Sequence, residues 1–192
     1  MAKAFKNTPR GLSCHLEKAE RELLRGLFND VVTILEPDQP AAGADTDPLW
    51  ALTGMDPAAH AVPAAAPRDG AELRLLPDAI RDDDGAALEF RRLTERGLRE
   101  TKTAALRGAA LALESPTVVL DEAAAVRFAA ALNDVRLVLA QRLGVETEED
   151  AERVHAVEDW SAAETVDEYL ALVYNFTTWL QESLMQALAD TL

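Results

Sequence analysis

Four segments of this chain carry the spacing or the boundary signals of long helices, and three of them close on a proline or a glycine. In the first, Leu23, Leu24, Leu27, Phe28, Val31, Val32 and Leu35 recur at helical spacing, which makes one broad face to bury. Glu36-Pro37 ends it, because the residue before proline avoids the α region. The second runs from about Gly85 to Glu114. The Asp82-Asp83-Asp84 cluster can cap it, and Ser115-Pro116 stops it. The third follows Asp121, an N-cap residue, and runs to Leu143, where Gly144 suits a left-handed stop. The last begins near Ser161 or Thr165, each opening a capping box with Glu164 or Glu168. It places Leu170, Val173, Phe176, Leu180, Leu184 and Leu188 on one face.

Between these lie weaker signals. Residues 3–7 and 12–16 alternate polar and apolar around Asn7-Thr8-Pro9-Arg10-Gly11, the pattern of a β-hairpin. Thr117-Val118-Val119-Leu120 reads as a third short strand. Pro77 opens a helical turn that ends near Asp82–Asp84, and Thr147–His155 forms another short turn. Residues 37–71 are rich in Pro and Ala and read as a flexible loop, with Leu49, Trp50 and Leu52 of Asp47–Gly54 pinning it to the body. The expected fold is mainly α: a single domain over residues 1–192, a helical bundle of about four main helices with a small β-sheet.

The formal charge is -15, and the isoelectric point is near 4.5. Such a field disfavours general contact with DNA, since phosphates need local cations. One cysteine, Cys14, excludes an internal disulfide and suits a reducing compartment. With no signal peptide and no run of about 18 apolar residues, a cytoplasmic location away from any membrane is expected.

Against that acidity one helix reverses sign. From Arg91 to Arg107 there are six bases (Arg91, Arg92, Arg96, Arg99, Lys102, Arg107) and two acids (Glu95, Glu100). Two readings stand. The arginines form a patch, together with Asp78 and Arg81 of the preceding turn, that binds an acidic protein segment or DNA phosphate. Alternatively they pair internally with Glu89, Glu95, Glu100, the Asp82–Asp84 cluster or the acidic residues 144–192, where twelve acids face one base, Arg153.

The ordered motifs of this chain resemble a known family. They are Asp47-Pro48-Leu49-Trp50-Ala51-Leu52-Thr53-Gly54, Leu76-Pro77-Asp78-Ala79-Ile80-Arg81-Asp82-Asp83, Glu89–Glu95, Leu132-Asn133-Asp134-Val135-Arg136-Leu137-Val138-Leu139 and Trp179-Leu180-Gln181-Glu182-Ser183-Leu184. Together they are similar to an actinobacterial domain-of-unknown-function family encoded beside the ClpS adaptor, with AosR-type oxidative-stress transcriptional regulators among its members. That resemblance implies a regulator acting with a sigma factor or RNA polymerase. The genomic neighbour suggests, as the alternative, an adaptor or structural protein of Clp-type proteolysis. A thiol switch would have to work through Cys14 alone, by an intermolecular bridge, a mixed disulfide or sulfenic acid.

Three further sites complete the expectations. Asn133, Asp134 and Arg136 interrupt an apolar helix and form either a buried polar network, with Arg92 or Gln181, or a polar groove for a partner. Cys14 is either a thiolate activated by His15 or Arg10 or an inert core residue. Trp160 or Trp179 could anchor a partner or a homodimer. His15, His60 and His155 are too dispersed for a metal, and no nucleophile–base or phosphate-loop motif is present. The chain is read as a non-enzymatic interaction module without cofactor. An enzyme would need a pocket joining Asp78, Arg81, Asn133 and Arg136.

Overall fold

The computed structural model describes residues 2–36, 70–80 and 82–191. Helices dominate, with one small sheet beside them. The Asp47–Gly54 island, most of the Pro/Ala-rich stretch and Arg81 lie outside the described residues.

Strands β1 (Lys3–Thr8) and β2 (Gly11–His15) form the expected hairpin, and β3 (Thr117–Leu120) pairs antiparallel with β2. Gly11 adopts φ +116°, and a Cβ there would sit 2.5 Å from the Leu120 carbonyl oxygen. Only glycine satisfies both the turn and the close strand approach. Alternation then points Phe5, Leu12, Cys14, Val118 and Leu120 inward.

Helix α1 (Lys18–Leu35) buries Leu24, Phe28, Val31, Val32 and Leu35, the core of the expected stripe. The Glu20 carboxylate accepts from the Glu17 amide at 2.8 Å and the Ala2 amide at 2.6 Å, which ties the hairpin's start to the helix. A six-residue helix, α2 (Gly70–Leu75), comes next. Two expectations are corrected here: residues 70 and 71 belong to this helix rather than to the loop, and Pro77 follows it instead of opening a new turn. Six residues cannot sustain a helix alone. This one is held by buried Leu75 and Leu76 and by Arg74, which donates to Gln141 Oε1 at 2.6 Å and the Val145 carbonyl at 2.8 Å.

Helix α3 (Asp84–Ala112) is the longest, capped by the Asp83 carboxylate accepting from the Ala86 amide at 3.0 Å. At its other end Arg21 reaches from α1 to the carbonyls of Leu113 and Glu114, and satisfies acceptors a helix end leaves open. Helix α4 (Glu122–Arg142) starts at Asp121 and ends before Gly144, whose φ is +63°. It is central, packing on α1, α2, α3 and the last helix. Helix α5 (Glu148–His155) starts from a Thr147/Asp150 capping box, and α6 (Val166–Ala189) from Thr165/Glu168. The alternative box at Ser161 is not used; Ser161 instead bonds Asp159.

Leu16, Leu24, Phe28, Leu106, Leu132, Leu139, Leu180 and Leu184 fill one continuous core. Phe128 of α4 is its aromatic hinge point, meeting Phe5 at 5.9 Å and Phe28 at 5.8 Å edge to face, a favoured geometry for ring quadrupoles. Among the described residues, no helix is long and apolar enough to cross a membrane.

Candidate functional site

The arginines of α3 divide by helix face. Arg91, Arg99 and Lys102 point toward the body. Arg91 is 7% exposed and donates to the Leu76 carbonyl, Asp78 and Glu95 at 2.9, 2.7 and 3.2 Å. Arg99 donates to Glu72 of α2, to Glu95, and to the Leu35 carbonyl at the end of α1. Burial pulls both guanidinium pKa values down, but the carboxylates around them outweigh it and the net shift is up. These two side chains therefore knit α1, α2 and α3 together and are not a docking patch.

Arg92 and Arg96 do reach solvent, paired along their own helix with Glu89 at 2.8 Å and Glu100 at 2.9 Å. Exposed pairs of this kind contribute little to stability and exchange partners readily. The internal-pairing reading thus accounts for most of the basic helix. The partners are Glu36, Glu72, Asp78, Glu89, Glu95, Glu100 and Asp134; among the described residues, none of these pairs uses an acid of residues 144–191.

The interrupted helix α4 resolves into two separate networks. Lys102 Nζ sits 2.5 Å from Asp134, which is buried. Burial raises the Asp134 carboxyl above its ordinary value even though Lys102 works the other way. Arg136 donates to Thr178 Oγ1 at 2.9 Å and Gln181 Oε1 at 2.6 Å, and lies over the Tyr174 ring at 5.4 Å. The expected Arg136–Gln181 link is present. Asn133 is corrected: it faces solvent, one helical step off the buried face, and belongs to neither network. Arg92 is likewise in neither. Asp78 is engaged by Arg91, away from Arg136 and Asn133, so these residues do not converge on a pocket.

The redox option for Cys14 is also corrected. The thiol is buried under the sheet, and desolvation, helped by the Glu20 carboxylate, pushes it up to about 12. At neutral pH the reactive thiolate is scarce. An aromatic disulfide reagent should therefore leave Cys14 untouched in the native protein and titrate one thiol after denaturation. Prompt native reaction would contradict this burial.

Two features escaped the sequence reading. On the outer face of α3, Phe90, Thr94, Gly97, Thr101, Ala104, Gly108 and Leu111 are all exposed and uncharged, with Leu93 beside them at 68% exposure. They repeat at 4-3 spacing through three heptads, a pattern visible in the sequence but masked there by the neighbouring charges. A Cβ added at Gly97 or Gly108 would meet nothing within 4 Å.

The second feature is an open groove of about 510 Å³ between the end of α5, the 156–165 connection and the first half of α6. His155, Glu158, Trp160, Asn175, Phe176 and Trp179 line it. Of these, the sequence marks only the two tryptophans as partner anchors. Among the described residues, no group of three or more His, Cys, Asp or Glu is placed to hold a metal ion.

Comparison with known proteins adds one positive result. No curated protein and no solved structure matches the chain. The family model described as a domain of unknown function, DUF2017, matches residues 2–188, and over nearly its whole length the chain belongs to that family.

Proposed function

We propose that this protein is a non-enzymatic regulatory module that binds an amphipathic helix of a protein partner along the outer face of α3. One observation carries the reading: seven successive 4-3 positions, Phe90 to Leu111, are solvent-facing and uncharged in a chain that is 28% charged. A solvated helix face ordinarily carries charge, whereas a 4-3 apolar seam is what a second helix packs against. Gly97, Ala104 and Gly108 would let that helix approach closely, with Phe90, Leu93 and Leu111 gripping its ends. Arg107 stands beside the seam, exposed, and can re-pair with an acid of the partner. The resemblance described above supports the transcription machinery, a sigma factor or RNA polymerase, as the source of that helix.

The test is retention of native cytosolic proteins by the parent and by a Gly97→Glu/Gly108→Glu variant. RNA polymerase or a sigma factor held by the parent and lost by the variant would support the proposal. Equal retention by both would remove the α3 face, and a Clp component in their place would move the protein to the proteolytic adaptor reading.

A separate expectation distinguishes this face from a merely tolerated one. Gly97→Ala and Gly108→Ala fill open space at ordinary helical φ. Each should stabilise the isolated protein by about 0.5–1 kcal/mol through helix propensity, raising the melting temperature by about 2–4 °C per kcal/mol. The same changes should weaken partner binding. Glycines that cost helix stability and face open space fit a surface that another backbone approaches closely.

A further inference from the structure

The groove between α5 and α6 has a chemistry distinct from that of the α3 face, and we infer that it receives a basic segment of a partner protein, with an arginine or lysine side chain lying against Trp160 and Trp179. Three observations converge on that occupant.

The first is aromatic surface left open. Trp160 is 49% exposed and Trp179 39% exposed. Both rings are nonetheless fixed: Trp160 meets Tyr169 edge to face at 5.7 Å, and Trp179 stacks on Phe176 at 6.1 Å. Pre-set indole faces bind cations at little ordering cost, and the methylene stem of a lysine or arginine covers the apolar wall formed by Val157 and Leu172.

The second is charge. Residues 144–192 contain twelve acids and one base, and that base, Arg153, is paired with Asp150 at 2.8 Å. Glu158 lines the groove itself. Such a field attracts a cationic segment and repels nucleic acid and anionic membrane.

The third is an orphaned acceptor in the wall. Asn175 Nδ2 donates to the carbonyls of Val154 and Val157, both at 3.0 Å. That fixes the amide and leaves Oδ1 buried without a hydrogen-bond partner among the described residues. An unmatched buried acceptor is costly; a small opening of the groove around a guanidinium, ammonium or backbone N–H would satisfy it.

Tryptophan fluorescence and calorimetric titration of the full chain decide the matter. The probes are a capped peptide alternating arginine with leucine, the same peptide with citrulline for arginine, and the same with glutamate. The arginine peptide should bind and weaken with added salt, the citrulline peptide should bind at least about ten-fold more weakly, and the glutamate peptide should not bind. Trp160→Ala should weaken the arginine peptide about ten-fold, within the range of a desolvated cation–π contact. Glu158→Gln should weaken it a few-fold and flatten the salt dependence; it also decides the case if Trp160→Ala fails to fold. Equal binding of the arginine and citrulline peptides would overturn the inference, as would full affinity in a folded Trp160→Ala, or full affinity in Glu158→Gln where Trp160→Ala fails to fold. Self-association of the chain that blocks the groove and excludes the peptide would overturn it too, in favour of a second copy as occupant.

Discussion

Lys102→Met is expected to lower the stability of the fold by about 3–5 kcal/mol at neutral pH, the usual cost of stripping the partner from a buried charge. Lys102 is the cation 2.5 Å from Asp134, a carboxylate buried on the core side of α4. With lysine present, burial already holds the Asp134 carboxyl above its ordinary 3.8. Removing the ammonium must raise it further. A carboxyl whose folded value lies above its unfolded value costs stability wherever it ionises in the unfolded chain. The penalty is full above the folded value and vanishes below the unfolded one. The Lys102→Met deficit should therefore be largest near neutral pH and shrink on acidification. Urea unfolding at neutral pH and in mild acid checks this, with a shifted midpoint and an unchanged slope. The double variant Lys102→Met/Asp134→Leu should recover most of the loss, since replacing both members of a buried pair is often neutral or stabilising. A deficit that stays constant with pH would place the effect in lost packing and not in charge.

The second large effect is Arg99→Met, about 1.5–3 kcal/mol, the scale of hydrogen bonds to charged groups, against about 0–1 kcal/mol for Arg96→Met three positions away. Both arginines are paired with glutamates on their own helix. Arg99 additionally bonds buried Glu72 of α2 and the last carbonyl of α1, Leu35. Without it Glu72 loses the Arg99 guanidinium and a six-residue helix loses an anchor to α3. Amide hydrogen exchange should show residues 70–76 opening well before the rest of the molecule. Equal urea midpoints for the two variants would mean that this network carries no stability.

The contrast between these arginines also explains what could be read from the sequence. Local signals were legible wherever a few adjacent residues decide the outcome. Thr117–Leu120, Asp121, Gly144, Thr147 and Thr165 all act as the sequence suggests, because capping and turn geometry depend on near neighbours. The reversal of sign on α3 was equally plain. Which of its bases face inward was not, because Glu72, which claims Arg99, and Asp134, which claims Lys102, lie 27 and 32 residues away along the chain. Helix α2 was missed for the same reason: six residues after a Pro/Ala-rich run have no stripe of their own, and tertiary contacts hold them. Asn133 went wrong by a single helical step, since its neighbours Leu132 and Asp134 are both buried. The groove was invisible for a related reason. His155 and Glu158 reach Phe176 and Trp179 only because α5 folds back on α6.

The bond from the Phe5 amide to Ser183 Oγ, at 3.2 Å, joins residues 178 apart in sequence. Loops of that size close slowly. A nascent chain that has emerged only through α4 can assemble α1 against α3, yet the hairpin has no α6 to rest on. The side of strand β1 that α6 covers then stays open to water until ribosomal synthesis has passed the final helix. That interval, before the last piece clasps the first, is when the polypeptide is most exposed to a chaperone or to aggregation.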